Sequence, residues 1–339
     1  EGTAGRHRKQ HVHRRRAAAG GGGPFLLLGP HKEDLVGEAA AELPASLRDN
    51  GRPLRRLRAA GDDDQRQLGR EAADAPVQSK GVIFVDELSE VPQSSHVIFS
   101  AHGVSEKVEK EAEEFNLLSF DATCPLVTKV HNEVQRHVRA NRDIILIGHE
   151  GHPEVEGTLG RHNPTDSISK IYLVQDEEEA RLLSVSQPDN LAYVTQTTLS
   201  LDDTLTIVKI LHQQFPKILK PKSDDICYAT QNRQDAVKQL ALESEFIVVI
   251  GSKNSSNSNR LKELAERCGA SSILIDGANE LDFKSLSKYK SIGVTAGASA
   301  PESIVQSVVK AICNELNAVA EELGENKENI YFRLPPELR

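Results

Sequence analysis

The stretch Asp121-Ala-Thr-Cys-Pro-Leu-Val-Thr-Lys-Val-His131 places a lone thiol at the mouth of a predicted helix. Pro125 directly follows Cys124, and proline is favoured at the first helical position, where its missing N–H costs nothing. Leu126, Val127, Val130, Val134 and Val138 recur at three- and four-residue spacing, the pattern of one buried helix face. Cys124 therefore sits where free backbone N–H groups and the positive end of a helix dipole converge. Such a setting is expected to lower the thiol's pKa and suits a thiolate nucleophile or metal ligand. Cys227, in Asp224-Asp-Ile-Cys-Tyr-Ala-Thr-Gln-Asn-Arg233, also precedes a helical pattern, with Ala236, Val237 and Leu240 on its buried face. Two thiols at two helix mouths are compatible with a shared metal or cluster, although buried structural cysteine is the commoner role. Cys268 and Cys313 lie near the ends of helical patterns and read as core or surface cysteines.

A second set of residues is built for hydrogen bonding. Ser255, Ser256, Asn257, Thr197, Ser299, His102 and His152 all fall in polar loops that precede helices. If those loops meet, several helix N-termini converge on one point and form an anion site, most naturally for phosphate or diphosphate. No loop is a Walker A sequence or a complete dinucleotide fingerprint, so a nucleotide is not indicated. Ordinary helix capping explains any one such loop; six of the same kind favour a site. Glu154 follows His152 by two residues, and a carboxyl beside a bound anion has a raised pKa and serves as a proton donor. A surface carboxylate capping a helix start is an equal reading of Glu154, and Glu156 competes for the donor role in the same loop.

The elements that must position these groups are regular from Gly81 onward. Apolar runs at 97–99, 117–120, 144–147, 191–194, 246–250 and 292–294 each end in a polar loop and lead into a helical pattern. Helices are expected through Phe115, through Leu211, over Asn259–Cys268 and over Glu302–Cys313. Strands alternating with helices predict an α/β fold of parallel sheets. Ligands of such sheets bind at the carboxyl ends of the strands.

The chain has 339 residues, 27% of them charged, and a net charge of −9, which argues against nucleic acid as the default partner. No apolar run approaches the length of a membrane span. Four cysteines without C-x-x-C spacing disfavour zinc ribbons and point to a reducing compartment; the cytoplasm is expected, with a plastid as the alternative. No methionine occurs, so the sequence is not expected to begin at a native start. Residues 1–80 differ in texture: the first 23 carry six Arg or Lys and one acid, and residues 51–80 alternate Arg with Asp, Ala and Gln. Residues 1–23 read as a disordered basic arm; their three histidines could bind a metal, and a transit peptide is disfavoured by the lack of Ser.

Seven motifs then occur in order: Ser-Ala-His-Gly-Val (100–104), the Cys124 stretch (121–131), Gly-His-Pro-Glu-Val-Glu-Gly-Thr (151–158), Thr-Gln-Thr-Thr-Leu-Ser (195–200), the Cys227 stretch (224–233), Gly-Ser-Lys-Asn-Ser-Ser-Asn-Ser-Asn-Arg-Leu (251–261) and Thr-Ala-Gly-Ala-Ser-Ala-Pro-Glu (295–302). Together they closely resemble 4-hydroxy-3-methylbut-2-enyl diphosphate reductase, the LytB/IspH family, from about Gly81 to the ending at 329–339. The resemblance implies the last step of the methylerythritol phosphate route: reductive removal of the substrate's hydroxyl, giving isopentenyl and dimethylallyl diphosphates. It also implies three similar α/β domains in a trefoil around a central [4Fe-4S] cluster, with one cysteine ligand from each and electrons from a ferredoxin or flavodoxin. On matching motifs, Cys124 and Cys227 would be cluster ligands, and His102, His152, Ser255, Ser256, Asn257 and Ser299 would hold the diphosphate. Glu154 would protonate the leaving hydroxyl, with Thr197 positioning it. The corresponding division is a basic arm at 1–23, an atypical first α/β domain at 24–124, a second at 125–223, a third at 224–314 and a tail at 315–339.

The family's first motif, Gly-Phe-Cys-Ala-Gly-Val, carries the first ligand, and a Glu-Val-Val-His-Asn motif carries another diphosphate-binding histidine. Neither occurs in residues 1–80, and no cysteine precedes Cys124. A frameshift or wrong gene model upstream of Gly81, or a replaced first domain, would account for this. With two of three ligands, a cluster is expected to be labile or absent and the polypeptide weakly active or inactive. A cluster-deficient, non-catalytic diphosphate-binding protein is the alternative.

Overall fold

The computed structural model describes residues 83–85, 87–93, 95–163 and 168–323, with the backbone of two short strands at 25–28 and 55–57. The basic arm at 1–23 and the ending at 329–339 lie outside the described residues. The strands are β1 (Phe25–Leu28), β2 (Arg55–Leu57), β3 (Ile83–Val85), β4 (His96–Phe99), β5 (Leu118–Asp121), β6 (Asp143–Ile147), β7 (Ile171–Val174), β8 (Leu191–Thr195), β9 (Phe246–Ile250), β10 (Ser271–Ile275), β11 (Ser291–Ala296) and β12 (Val319–Glu322). The helices are α1 (Glu106–Glu114), α2 (Pro125–Arg139), α3 (Pro153–Leu159), α4 (Glu177–Leu182), α5 (Leu201–Gln214), α6 (Tyr228–Glu243), α7 (Ser256–Arg267), α8 (Phe283–Leu286) and α9 (Glu302–Leu316).

The strands form three sheets, ordered β3-β2-β4-β5, β7-β6-β8 and β10-β9-β11-β1-β12. Every described pairing between these strands is parallel, as the strand–loop–helix rhythm predicts. The two longer sheet centres read as unbroken apolar runs because both faces are covered. In β9, Val248 and Ile250 pack with Val305, Val308 and Ile312 of α9 on one face. Ile247 and Val249 pack with Val237 and Leu240 of α6 and Leu261 and Leu264 of α7 on the other. In β6, Ile145 and Ile147 face Ile207, Ile210 and Leu211 of α5, while Ile144 and Leu146 face Val130, Val134 and Val138 of α2. Each such side chain contributes about 1.5–3 kcal/mol on burial, so α2, α6 and α7 are anchored along their length and their N-termini are held in place.

The helix after β9 begins at Ser256 rather than the expected Asn259, because Ser255 Oγ accepts from Ser258 N and caps it there. The last predicted helix runs on to Leu316 and stops at Asn317, which adopts a left-handed conformation with φ of 50°. Strands β7, β10 and β12 and helices α4 and α8 were not expected from the repeating pattern. Among the described residues no helix is long and apolar enough to cross a membrane.

Candidate active site

Polar loops at the carboxyl ends of β4, β6, β8, β9 and β11 meet through a chain of contacts. The β4 loop turns at Gly103, where φ is +76° and an added Cβ would lie 2.5 Å from His131 Cε1 on α2. Across the same loop, a Cβ on Gly157 of α3 would lie 3.1 Å from Gly103 O. The loop is thus clamped between two helices, and His102 stands exposed upon it. Ala101 O accepts from Cys124 N at 3.0 Å, which ties the first thiol to this loop. The rings of His102 and His152 meet edge to face with centroids 5.7 Å apart.

His152 caps α3, and its Nδ1 accepts from Glu154 N at 3.2 Å. That bond assigns the tautomer with hydrogen on Nε2, which leaves Nε2–H as a donor. Burial first, then the His102 and His149 charges, hold His152 down to about 3, so the ring is neutral at neutral pH.

Glu154 is 2% exposed. Burial pushes its carboxyl up to about 7, against the hydrogen bonds from Thr197 and with the help of Asp225's charge. Thr197 N donates to Glu154 Oε1 at 2.6 Å and Thr197 Oγ1 to Oε2 at 2.9 Å. Thr197 O in turn accepts from Cys227 N at 2.9 Å, so one threonine joins the acid to the second thiol. Glu156 lies on the exposed side of α3 and takes no part.

Cys124 and Cys227 are the N-caps of α2 and α6, and neither side chain makes a capping bond. They lie close enough that a Cys227 thiolate opposes ionisation of Cys124, as does Glu154. Contrary to the expectation from its place at a helix mouth, Cys124 is not acidified. Burial pushes this thiol up and outweighs the N–H groups of Leu126 and Val127, which pull it down.

The opposite wall is the first turn of α7. Thr198 Oγ1 donates to Ser256 Oγ at 3.3 Å and links it to the Thr197 loop. Asn257 is 5% exposed, and neither its Oδ1 nor its Nδ2 has a hydrogen-bond partner among the described residues. Ser258 Oγ is likewise buried and unpartnered among the described residues. A Cβ on Gly297 would lie 2.1 Å from that oxygen, so the β11 loop closes directly on α7. Ser299 is exposed on this loop. Buried polar atoms left unpaired cost about 1–3 kcal/mol each, and at a helix N-terminus an anion is the group that satisfies the donors among them, Asn257 Nδ2 and the Ser258 hydroxyl. Thr198, Ser258 and His149, whose N–H reaches Gln196 Oε1 at 3.1 Å, join the site without having been singled out from sequence. The Ser and Thr richness of their loops was the available signal.

A cluster held by three thiolates needs a third cysteine beside Cys124 and Cys227. Cys268 is exposed at the C-terminus of α7, and Cys313 lies in the last turn of α9, both at helix ends remote from the strand carboxyl ends. Among the described residues no group of three or more His, Cys, Asp or Glu is placed to hold a metal ion. The residues present give two thiols and do not complete a three-cysteine set.

The LytB protein family matches residues 73–313. The 4-hydroxy-3-methylbut-2-enyl diphosphate reductase of Stenotrophomonas maltophilia (strain K279a) is 56% identical over 264 residues, spanning 78% of this chain and 83% of its own. That of Methylococcus capsulatus is 55% identical over the same share of each chain. Among solved structures, the E-1-hydroxy-2-methyl-but-2-enyl-4-diphosphate reductase from Plasmodium falciparum aligns with a TM-score of 0.82 at 31% identity, over 93% of this chain and 97% of that one. A second, (E)-4-hydroxy-3-methyl-but-2-enyl diphosphate reductase, the terminal enzyme of the non-mevalonate pathway, aligns with a TM-score of 0.59 at 27% identity, over 86% and 99%.

Proposed function

The chain belongs to the LytB protein family, and from that premise we propose that it is an oxidoreductase acting on 4-hydroxy-3-methylbut-2-enyl diphosphate in the last step of the methylerythritol phosphate route. The observation that carries this reading is the buried Glu154 carboxyl, protonatable near neutrality, tied through Thr197 to the Cys227 backbone and by its own N–H to the His152 ring.

The diphosphate occupies the pocket of His102, His152, Ser255, Ser256, Asn257 and Ser299, with His152 donating from Nε2 and Asn257 from its unpaired amide. This fixes the hydroxyl end of the substrate near Glu154. The C–O bond breaks, the hydroxyl takes the Glu154 proton and leaves as water, and two electrons and a second proton reach the allylic skeleton to give the isomeric diphosphates. Thr197 holds both carboxyl oxygens and keeps the acid aimed. The electrons come one at a time from a ferredoxin or flavodoxin, in a reducing compartment, bacterial cytoplasm or plastid.

The family's [4Fe-4S] cluster would rest on Cys124 and Cys227, and two thiolates hold such a cluster weakly. The thiol count favours a second reading: a non-catalytic diphosphate-binding protein on the same scaffold. Anaerobic reconstitution with iron and sulfide, followed by iron analysis, substrate calorimetry and turnover with a reduced viologen dye, separates them. We expect substrate binding with low iron retention and slow turnover. Binding without any turnover establishes the second reading, and absence of binding overturns both.

A further inference from the structure

Lys129 lies on α2 five positions after Cys124, about 7.5 Å along the helix axis. Its Nζ crosses to a segment far along the chain and donates to Ser223 O, to Asp224 O at 3.1 Å and to Asp225 Oδ1 at 2.6 Å. The other Asp225 oxygen accepts from Thr195 N at 3.0 Å, at the end of β8. The Asp225 side chain is fully buried, and that of Lys129 is 23% exposed. Residues 221–227 form no helix or strand, and two positions beyond Asp225 stands Cys227. Its N–H is held by Thr197 O, the residue that also grips Glu154. Glu133 lies one turn further along α2, buried and paired with Arg136 at 3.9 Å, and the cation in contact with Asp225 is Lys129.

One rigid helix therefore carries Cys124 at its N-cap and, five positions on, the cation that grips the irregular segment leading to Cys227. We propose that Lys129 is a positioning residue that fixes Cys227 opposite Cys124, so that the spacing of the two thiols is set by a three-pronged lysine contact before any metal is bound. A simple stabilising ion pair would need only the Asp225 contact; the two carbonyl contacts hold the backbone that aims the thiol. The inference deepens the function proposed above and rests on it for the role of the thiols.

The test uses the full chain, reduced and metal-free, carrying Lys129→Met. Iodoacetamide labelling of each cysteine is followed by peptide mass spectrometry, alongside hydrogen exchange of residues 223–227. We expect Cys227 to be labelled at least about tenfold faster and its segment to exchange faster, while Cys124, Cys268 and Cys313 stay within about twofold. Lys129→Arg, which keeps the charge and the donors, brings Cys227 back toward the rate of the unaltered chain. An unchanged Cys227 rate overturns the proposal, as does equal acceleration of all four cysteines, which is general loosening. If the single variant does not fold, Lys129→Met with Asp225→Asn removes both charges. A folded double variant with Cys227 still protected also overturns it, and one with Cys227 exposed supports it. No substrate or metal enters these readings, so they stand or fall separately from the reductase assay.

Discussion

Glu154 and Thr197 are joined twice, with both carboxyl oxygens held by one residue through its backbone N–H and its hydroxyl. Fixing both oxygens removes rotation of the carboxyl, while burial keeps it protonatable near neutral pH. Orientation and acidity are thus set by separate causes and can be changed separately.

Turnover should require the protonated acid and decline as pH rises through about 7. Glu154→Gln removes that basic limb and lowers the rate by about 10²–10⁴. A pH–rate profile of both proteins checks this; a basic limb unchanged in the variant would contradict it.

Stability carries the same signature. The folded Glu154 carboxyl is raised from 4.5 to about 7, so its contribution is fully present below about 4.5 and is lost as pH rises through about 7. His152 and His131, held down to about 3 and about 4, act oppositely: their contribution is present above 6.5 and is lost as pH falls. Urea unfolding at pH 5 and pH 8 should therefore show Glu154→Gln gaining on the unaltered chain at the higher pH, by an amount on the order of 1–3 kcal/mol.

Thr197→Val keeps the backbone bond and deletes the hydroxyl bond, which holds the Glu154 pKa down. The basic limb of the rate profile should move to higher pH while kcat falls about tenfold with KM little changed. A pure KM effect would assign Thr197 to substrate binding instead.

Asn257→Ala should weaken inorganic diphosphate binding by about tenfold or more, measured by calorimetry. Because its amide has no partner among the described residues, thermal stability should hold or rise. A stability loss with unchanged affinity would show that the amide serves the fold.

Gly103→Ala is strained twice, by a φ of +76° and by His131 Cε1 at 2.5 Å from the new Cβ. We expect a loss of about 1–3 kcal/mol in urea unfolding together with weaker diphosphate binding, since the displaced loop carries His102. Unchanged stability would mean that His131 yields readily.

The strands legible in sequence were those buried on both faces, such as Ile144–Ile147 and Phe246–Ile250, where an unbroken apolar run is itself the signal. Ile171–Val174 is only partly covered along most of its length and gave no comparable contrast. Cys124 at a helix mouth was readable because Pro125 marks the first helical position. Its raised pKa is not legible there, because burial sums over neighbours from remote segments, which local sequence does not display. Ser256 and Asn257 read as loop residues in sequence but form the first turn of α7, because the cap at Ser255 lies earlier than the apolar spacing suggests. Lys129 gave no sign of its role, since its three acceptors lie 94 to 96 residues further on.

The parallel pairing of the described strands has a kinetic consequence. A parallel pair cannot close through a tight turn, so each pairing waits for a crossover segment to be made and folded. Proteins built on such distant contacts fold slowly. The residues of the proposed pocket range from His102 to Ser299, so a nascent chain ending before β11 would carry both thiols and the acid but not the loop that closes on α7. Ligand affinity should therefore appear late and all at once during refolding, after most of the secondary structure has formed.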